Sequence, residues 1–147
     1  MGIDFHHSKP PPTPMKSLLK LEELAEMLLA VVVFTQLPYA WWVLPATFLL
    51  PDLSMLGYLA GPRVGAISYN LMHHKALAIA VGIAGWALGL PVVMLAGTVL
   101  LFHSAFDRLL GYGLKYTTGF QDTHLGRAGK VAATDSLAVA GMPALGA

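Results

Sequence analysis

Four apolar stretches of about membrane-spanning length follow one another along the chain and limit the folds open to it. They run from about Ser17 to Gln36, Tyr39 to Tyr58, Arg63 to Leu88 and Pro91 to Gly111. A helix needs roughly 20 mostly apolar residues to cross a bilayer core of about 30 Å. Only 12% of the residues are charged, about half the share of a soluble domain. The sequence therefore predicts an all-α fold, an integral membrane four-helix bundle.

The ends of the chain differ in composition from this core. Residues 1–16 form a Pro-rich leader, residues 17–116 the predicted transmembrane domain, and residues 117–147 a polar segment followed by an Ala/Gly-rich tail. A secretory signal would begin with a basic segment and a short apolar run ending in a cleavage site. The first sixteen residues are instead polar and rich in proline, so we expect the first apolar stretch to be a retained transmembrane helix.

Charged residues are distributed unequally between the two ends of the predicted bundle. The connections at 36–40 and 88–91 contain none. The basic residues of the opposite side are Lys9, Lys16, Lys20, Arg63, Arg108, Lys115, Arg127 and Lys130. Basic residues favour the cytoplasmic side of a membrane. This pattern predicts both termini on the cytoplasmic side of a multi-pass protein, with Tyr39, Trp41 and Trp42 in the opposite aromatic belt.

Composition also excludes several classes of function. The chain has no cysteine, which excludes disulfides, thiolate zinc sites and iron–sulfur clusters. The net charge is +1, and the basic residues form no run or stripe of the kind that binds nucleic acid.

Ionisable residues inside the predicted spans are the candidates for function, because they are costly in a membrane unless they face the bundle interior. From the helical rise, Glu22, Asp52, His73 and His103 lie roughly 3, 9, 15 and 8 Å inside the cytoplasmic interface. His103 and Asp107 are four residues apart and share a helix face. Each span contributes to this layer, and bundles assemble core metal sites in this way. We therefore predict a divalent metal site there.

Imidazole and carboxylate ligands without thiolate suit zinc, iron or manganese. One version is an acid-rich, two-metal set. A second version is a hydrolytic zinc site of His73, His103 and His124 with Asp52 as base or supporting partner, which requires the segment after the fourth helix to fold back. The metal ligands predicted in total are Glu22, Asp52, His73, His103, Asp107 and His124, with Asp52 and Asp107 also as catalytic groups.

A purely structural interpretation remains open beside this one. Glu22, Glu23 and Glu26 suit acids that complement the dipole of the first helix. Asp107 and Arg108 suit an interfacial ion pair, as do Asp52 and Arg63. Histidines within a membrane also bond neighbouring helices to each other.

Several motifs resemble those of a family of small bacterial membrane proteins of unknown function. They are PDLSMLGYLAGPRVG at 51–65, YNxxH at 69–73, HxxFDRxxGYGLKY at 103–116 and DTHLG at 122–126. The resemblance covers about Leu18 to Arg127. It implies a location in the bacterial inner membrane. It marks as signature positions Glu22, Asp52, Tyr69, Asn70, His73, His103, Asp107, Arg108 and His124, of which we expect Tyr69, Asn70 and Arg108 to support the ligands or orient a substrate.

Two functions follow as hypotheses. The first is a metal-dependent hydrolase that acts on a lipid-like substrate reached from the cytoplasmic leaflet, with membrane lipids as its surroundings. The second is a non-enzymatic accessory subunit of a larger membrane protein complex, whose polar layer is structural.

Overall fold

The computed structural model describes residues 13–127 and is mostly helical, as predicted. The elements are α1 (Thr13–Thr35), α2 (Val43–Thr47), a 3-10 helix (Pro51–Ala60), α3 (Pro62–Met72), α4 (Lys75–Ala87), α5 (Pro91–Leu110), β1 (Asp122–Thr123) and β2 (Gly126–Arg127). The predicted leader up to residue 12 and the tail from residue 128 lie outside the described residues.

The first apolar stretch forms one long helix, α1, which begins at Thr13 and so extends into the predicted leader. Glu22, Glu23 and Glu26 consequently lie well inside this helix. The interpretation of these acids as first-turn residues is therefore wrong, because the helix dipole acts mainly within the terminal turn.

The second stretch changes helix type where its prolines occur. The N–H of Asp52 bonds to the carbonyl of Leu49 and that of Leu53 to the carbonyl of Leu50, the three-residue spacing of a 3-10 helix. Pro51 has no N–H to donate, and its ring crowds the preceding turn. The prediction of one continuous α-helix from Tyr39 to Tyr58 is therefore wrong, although Val43–Ala60 together remain long and apolar enough to span a membrane.

The third stretch divides into two helices at His73 and His74. The backbone of His74 is extended, with φ −89° and ψ 110°, and Arg108 donates a hydrogen bond to the carbonyl of His73. The prediction of one helix over 63–88 is therefore wrong. The break lets α3 pack along the 3-10 helix while α4 packs along α5.

The helices α4 and α5 approach each other closely through small residues. A Cβ on Gly85 would lie 2.2 Å from the nitrogen of Met94, and one on Gly97 would lie 2.3 Å from the nitrogen of Gly82. This pairing makes the two helices antiparallel. Small residues at helix contacts are typical of membrane helix pairs, in which close packing drives association.

A small apolar core joins α1, α2 and α5. Its buried members are Phe34, Leu37, Leu44 and Val99. The 3-10 helix and α3 form a separate helical hairpin, in which a Cβ on Gly65 would lie 2.2 Å from the ring of Tyr58. The hydroxyl of Ser68 donates to the carbonyl of Ser54 across the same contact.

The polar segment after α5 folds back onto the helices. Gly111 ends α5 with a left-handed backbone, φ 95°, and the N–H of His124 bonds to the carbonyl of Leu114. The ring of Phe120 then packs edge-on against Tyr58, at the far end of the helical hairpin.

Polar side chains are among the most deeply buried, and many large apolar side chains are exposed. The largest fully buried side chains are His73, His103 and Ser104, whereas Leu59 and Trp41 are 88% and 80% exposed. Large exposed apolar surfaces in proteins mark contact with lipid or with other proteins. Two helical stretches, Val43–Ala60 and Pro91–Leu110, are long and apolar enough to cross a membrane.

Candidate metal centre

Four of the predicted ligands meet at one point in the structure. Asp52, His73, His103 and Asp107 each offer one nitrogen or oxygen atom, and these atoms all lie within 4.8 Å of one another. Both imidazoles are buried, and both carboxylates are partly buried. The group could hold a metal ion.

Two structural units supply the four side chains. His103 and Asp107 lie one turn apart on α5 and therefore project from the same face of that helix. Asp52 is in the first turn of the 3-10 helix, and His73 directly follows α3. The helical hairpin thus carries one ligand where it begins and another where it ends, and closing the hairpin brings the two ligands together.

Backbone carbonyls determine the orientation of both imidazoles. Nδ1 of His73 lies 2.9 Å from the carbonyl oxygen of Tyr69, and Nδ1 of His103 lies 2.7 Å from that of Phe48. A carbonyl only accepts, so each Nδ1 carries a proton, and a ring in its neutral form presents its Nε2 lone pair to the cluster. Metal-binding histidines are commonly oriented in this way.

Neither Nε2 atom has a hydrogen-bond partner among residues 13–127, although both are buried. Nε2 of His73 lies 3.4 Å from Asp52 Oδ1 and 3.5 Å from Asp107 Oδ2. Nε2 of His103 lies 3.2 Å from Asp52 Oδ1 and 3.8 Å from Asp107 Oδ1. Charge-assisted hydrogen bonds between nitrogen and carboxylate are shorter, about 2.7–2.9 Å. Donors bound at about 2.0–2.1 Å to one tetrahedral zinc ion lie about 3.4 Å apart, close to the distances found here.

The two carboxylates differ in how firmly they are held. Tyr69 donates a hydrogen bond of 2.8 Å from its hydroxyl to Asp107 Oδ2, and its ring stacks on His73 with centroids 3.7 Å apart. The Asp107 side chain is 14% exposed and that of Asp52 29%. Asp107 is therefore the fixed carboxylate of the pair, and Asp52 is the more accessible one.

The other two residues predicted to surround the ligands connect the centre to the segment after α5. The Asn70 side chain accepts from the N–H of Lys115 at 2.7 Å and donates to its carbonyl at 2.8 Å. Arg108 donates to the carbonyls of Tyr112 and His73. These bonds hold the returning segment against α3 and the residue that follows it, His73.

Lys115 is buried beside this network, a role that the sequence analysis did not identify. Its ammonium lies 4.6 Å from the centroid of the Tyr69 ring and 3.9 Å from that of Phe120, and it donates to the Phe120 carbonyl. Burial lowers the pKa of Lys115, and the negative charges of Asp107 and Asp52 oppose that shift. Lys115 lies between Leu114 and Tyr116 in a stretch with no helical or strand period, so no sequence pattern indicated its burial.

Two predicted ligands are not part of the group. Glu22 is exposed on α1. Nδ1 of His124 accepts a hydrogen bond of 2.8 Å from the N–H of Leu114. Burial, together with the positive charge of Arg108, lowers the pKa of His124, which favours its neutral form. The returning segment does fold back, as the three-histidine version requires, but His124 is bonded within that segment.

A further ionic group on the same side of the molecule was missed. The Lys75 ammonium bonds to Glu23 Oε2 and lies 2.8 Å from Glu26 Oε2. A lysine inside a predicted span requires partners of opposite charge, so this residue could have been matched to the acids of α1 from the sequence.

The comparison with protein families agrees with the resemblance to a family of unknown function. No curated protein and no solved structure matches the chain. Residues 16–128 match a family described as a domain of unknown function, DUF4260. That match includes all four residues of the metal-ligand group and every element from α1 to β2 except the first turn of α1. The chain therefore belongs to the DUF4260 family.

Proposed function

We propose that this protein is a multi-pass membrane protein that binds one divalent metal ion through Asp52, His73, His103 and Asp107, and that it uses the ion to hydrolyse a lipid-like substrate. The observation that carries the proposal is the pair of buried Nε2 atoms. Both lack a hydrogen-bond partner among the described residues, and both face the same two carboxylates.

Zinc suits the centre best of the three metals considered. Its preferred ligands include neutral imidazole and carboxylate, and its usual arrangement is tetrahedral. The separations of 3.2–3.8 Å between nitrogen and oxygen atoms favour such an arrangement. A zinc ion with one exchangeable position supplies a hydroxide nucleophile near neutral pH.

The protein side chains have separate tasks in this proposal. His73 and His103 bind the metal. Asp107 is the third ligand, and the hydrogen bond from Tyr69 fixes its orientation. Asp52 is the more exposed carboxylate, so it is the group that can exchange its place with water or act as a general base.

The exposed apolar residues and the charge distribution support the membrane placement. Trp41 and Trp86, 80% and 73% exposed, lie at the end of the molecule whose connections carry no charge. Lys16, Lys20 and Arg108 lie at the other end, near the centre. We place that end at the cytoplasmic face of a bacterial inner membrane, following the bias of basic residues towards the cytoplasm.

Elemental analysis of the full chain, purified in a mild uncharged detergent and incubated with zinc, tests the proposal. We expect about one zinc ion per chain, since the four ligands surround one point. His73→Ala and His103→Ala should each abolish stoichiometric zinc. The matched control is His74→Ala, because His74 is an exposed neighbour and should leave the zinc content unchanged.

A folded protein that takes up no zinc, iron or manganese would overturn the proposed centre. If the same preparation also retained other membrane proteins as stoichiometric partners, the accessory-subunit hypothesis would replace it. For hydrolysis, a chromogenic long-chain ester and a chromogenic alkyl phosphate serve as first substrates. Turnover by the zinc-loaded protein that is absent from His103→Ala supports a hydrolase.

A further inference from the structure

A cavity of about 970 Å³ with several charged lining residues lies beside the centre, between α1, the break before α4 and the segment after α5. Of the four residues in the metal-ligand group, His73 alone is among the lining residues, and its side chain is fully buried. Four cationic side chains line the cavity, against one acid, Glu23. The cationic residues are Lys16, Lys20, Lys75 and Arg108.

The charge in this cavity is not fully neutralised. Lys75 is paired with Glu23 and Glu26. Lys16 and Lys20 have no ion-pair partner among residues 13–127, and Arg108 donates there to backbone carbonyls. Counting Glu26 with the lining residues, four positive and two negative charges leave a net charge of +2. A cavity of this kind attracts an anion.

An apolar groove of about 420 Å³ lies next to the cavity and is lined by α1, α4 and α5. The ion pair of Lys75 with Glu26 stands at the junction, since Lys75 lines the cavity and Glu26 lines the groove. Beyond it, α4 contributes small and apolar residues as far as Trp86. At 1.5 Å per residue, Lys75 and Trp86 are about 16 Å apart along the helix.

The α1 residues of both regions form one stripe along the helix. Lys16, Lys20 and Glu23 are spaced by four and three residues, and Glu26, Ala30 and Val33 continue at three, four and three. Such spacing keeps side chains on one face of a helix. The stripe is cationic near the cavity and apolar along the groove, so a single ligand that follows it needs an anionic head and a hydrocarbon chain.

We propose that the cavity and the groove together bind an amphiphile that carries a phosphate-type anionic head and one hydrocarbon chain, the head in the cavity beside His73 and the chain between α1 and α4. The inference deepens the proposed function and rests on it where it names this amphiphile as the substrate class. Binding itself depends on the cationic side chains and the groove, so it can be measured with or without metal.

The head is tested by native mass spectrometry of the full chain, released from an uncharged detergent that contains equal amounts of hexadecyl phosphate and hexadecylphosphocholine. We expect hexadecyl phosphate to be retained in preference. The double variant Lys16→Gln, Lys20→Gln should bind it about tenfold or more weakly, as expected when two basic residues near an anionic headgroup are removed. Arg63→Gln, which removes a basic residue that does not line the cavity, should bind as wild type does.

The chain is tested at Gly82, which lines the groove and has open space where a Cβ would lie. The leucine side chain of Gly82→Leu should fill the groove. It should weaken the binding of hexadecyl phosphate by more than about tenfold, because each buried methylene of a lipid chain contributes to binding. The matched control is Ala80→Leu on an exposed part of the same helix.

Four outcomes decide the proposal. Selective retention of hexadecyl phosphate, lost in both the lysine variant and Gly82→Leu, supports it. Equal retention of both lipids overturns the anionic head. If inorganic phosphate alone displaces the bound lipid and Gly82→Leu has no effect on binding, the ligand is a free anion and the amphiphile is excluded. If neither lipid is retained, the proposed site is wrong. Zinc content is measured on the same samples. A protein that binds the lipid but no zinc is thereby distinguished from one that binds zinc but no lipid.

Discussion

Replacing Tyr69 by Phe perturbs the proposed centre at one atom. The substitution removes the hydroxyl that donates to Asp107 Oδ2 at 2.8 Å, while a phenyl ring can keep the stacking on His73 at 3.7 Å. Neither Asp107 nor either histidine changes. The variant therefore tests whether the orientation of the Asp107 carboxylate affects the affinity for the metal.

The expected loss in affinity follows from the kind of hydrogen bond removed. Hydrogen bonds to charged groups contribute about 1.5–3 kcal/mol, equivalent to about 10- to 150-fold in a binding constant. The bond to Asp107 is present without metal as well, so only the part that aims the carboxylate at the ion affects affinity. We expect zinc to bind about tenfold more weakly, the lower end of the range for residues that support metal ligands.

Competition with a chromogenic zinc chelator, in the detergent used for purification, measures this change. Tyr58→Phe is the matched control, because the buried hydroxyl of Tyr58 has no hydrogen-bond partner among the described residues. A Tyr69→Phe protein with native helix content and an affinity within about twofold of wild type would refute the reasoning. An equal loss in Tyr58→Phe would do so too, because it would show that any change in the hairpin weakens binding.

Two further predictions concern the helical hairpin and the segment after α5. Gly65→Ala places a Cβ 2.2 Å from the ring of Tyr58 and should destabilise the protein by about 1–3 kcal/mol. Thermal unfolding should show a lower Tm for this variant than for the control Gly82→Ala. Equal Tm values would contradict the tight contact between Gly65 and Tyr58. Burial and Arg108 lower the pKa of His124 below 6.5, so the opened segment binds more protons than the folded one between that lowered pKa and 6.5. The stability that neutral His124 contributes to the folded segment is therefore complete above pH 6.5. This contribution is lost as the pH decreases through the window, and the opening equilibrium changes by at most about tenfold per pH unit. Hydrogen exchange of residues 113–127, corrected for intrinsic rates, should therefore show more opening on acidification in wild type than in His124→Phe, and identical responses would exclude His124 as the cause.

The helical fold and most of the centre were predictable because both follow from the cost of placing polar groups among apolar ones. Asp52, His73, His103 and Asp107 stood out as ionisable residues within apolar stretches, and the structure brings all four together. Glu22 met the same criterion but is exposed, because α1 turns Glu23 and Glu26 towards Lys75 instead. Sequence depth along a helix does not determine the direction of a side chain.

The break at His73 and His74 could not be predicted from local signals. Neither residue is a glycine or a proline, the usual marks of an interrupted helix. Tertiary contacts accompany the interruption, namely the bond from Arg108 to the His73 carbonyl and the two bonds between Asn70 and Lys115, one donated by each residue. Those partners are 35 and 45 residues away in sequence.

The charge of the four-residue group is the strongest physical reason to expect a cation there. When both imidazoles are in their neutral form, with the Nδ1 proton bonded to a carbonyl, Asp52 and Asp107 bring two negative charges to one partly buried point. Among residues 13–127 neither carboxylate has a lysine or arginine within ion-pair distance: Arg108 is bonded to carbonyls, and the ammonium of Lys115 lies over two aromatic rings. Uncompensated charges are costly to bury. A divalent cation among the four ligands would balance both carboxylates and would also join α5 to the two ends of the helical hairpin.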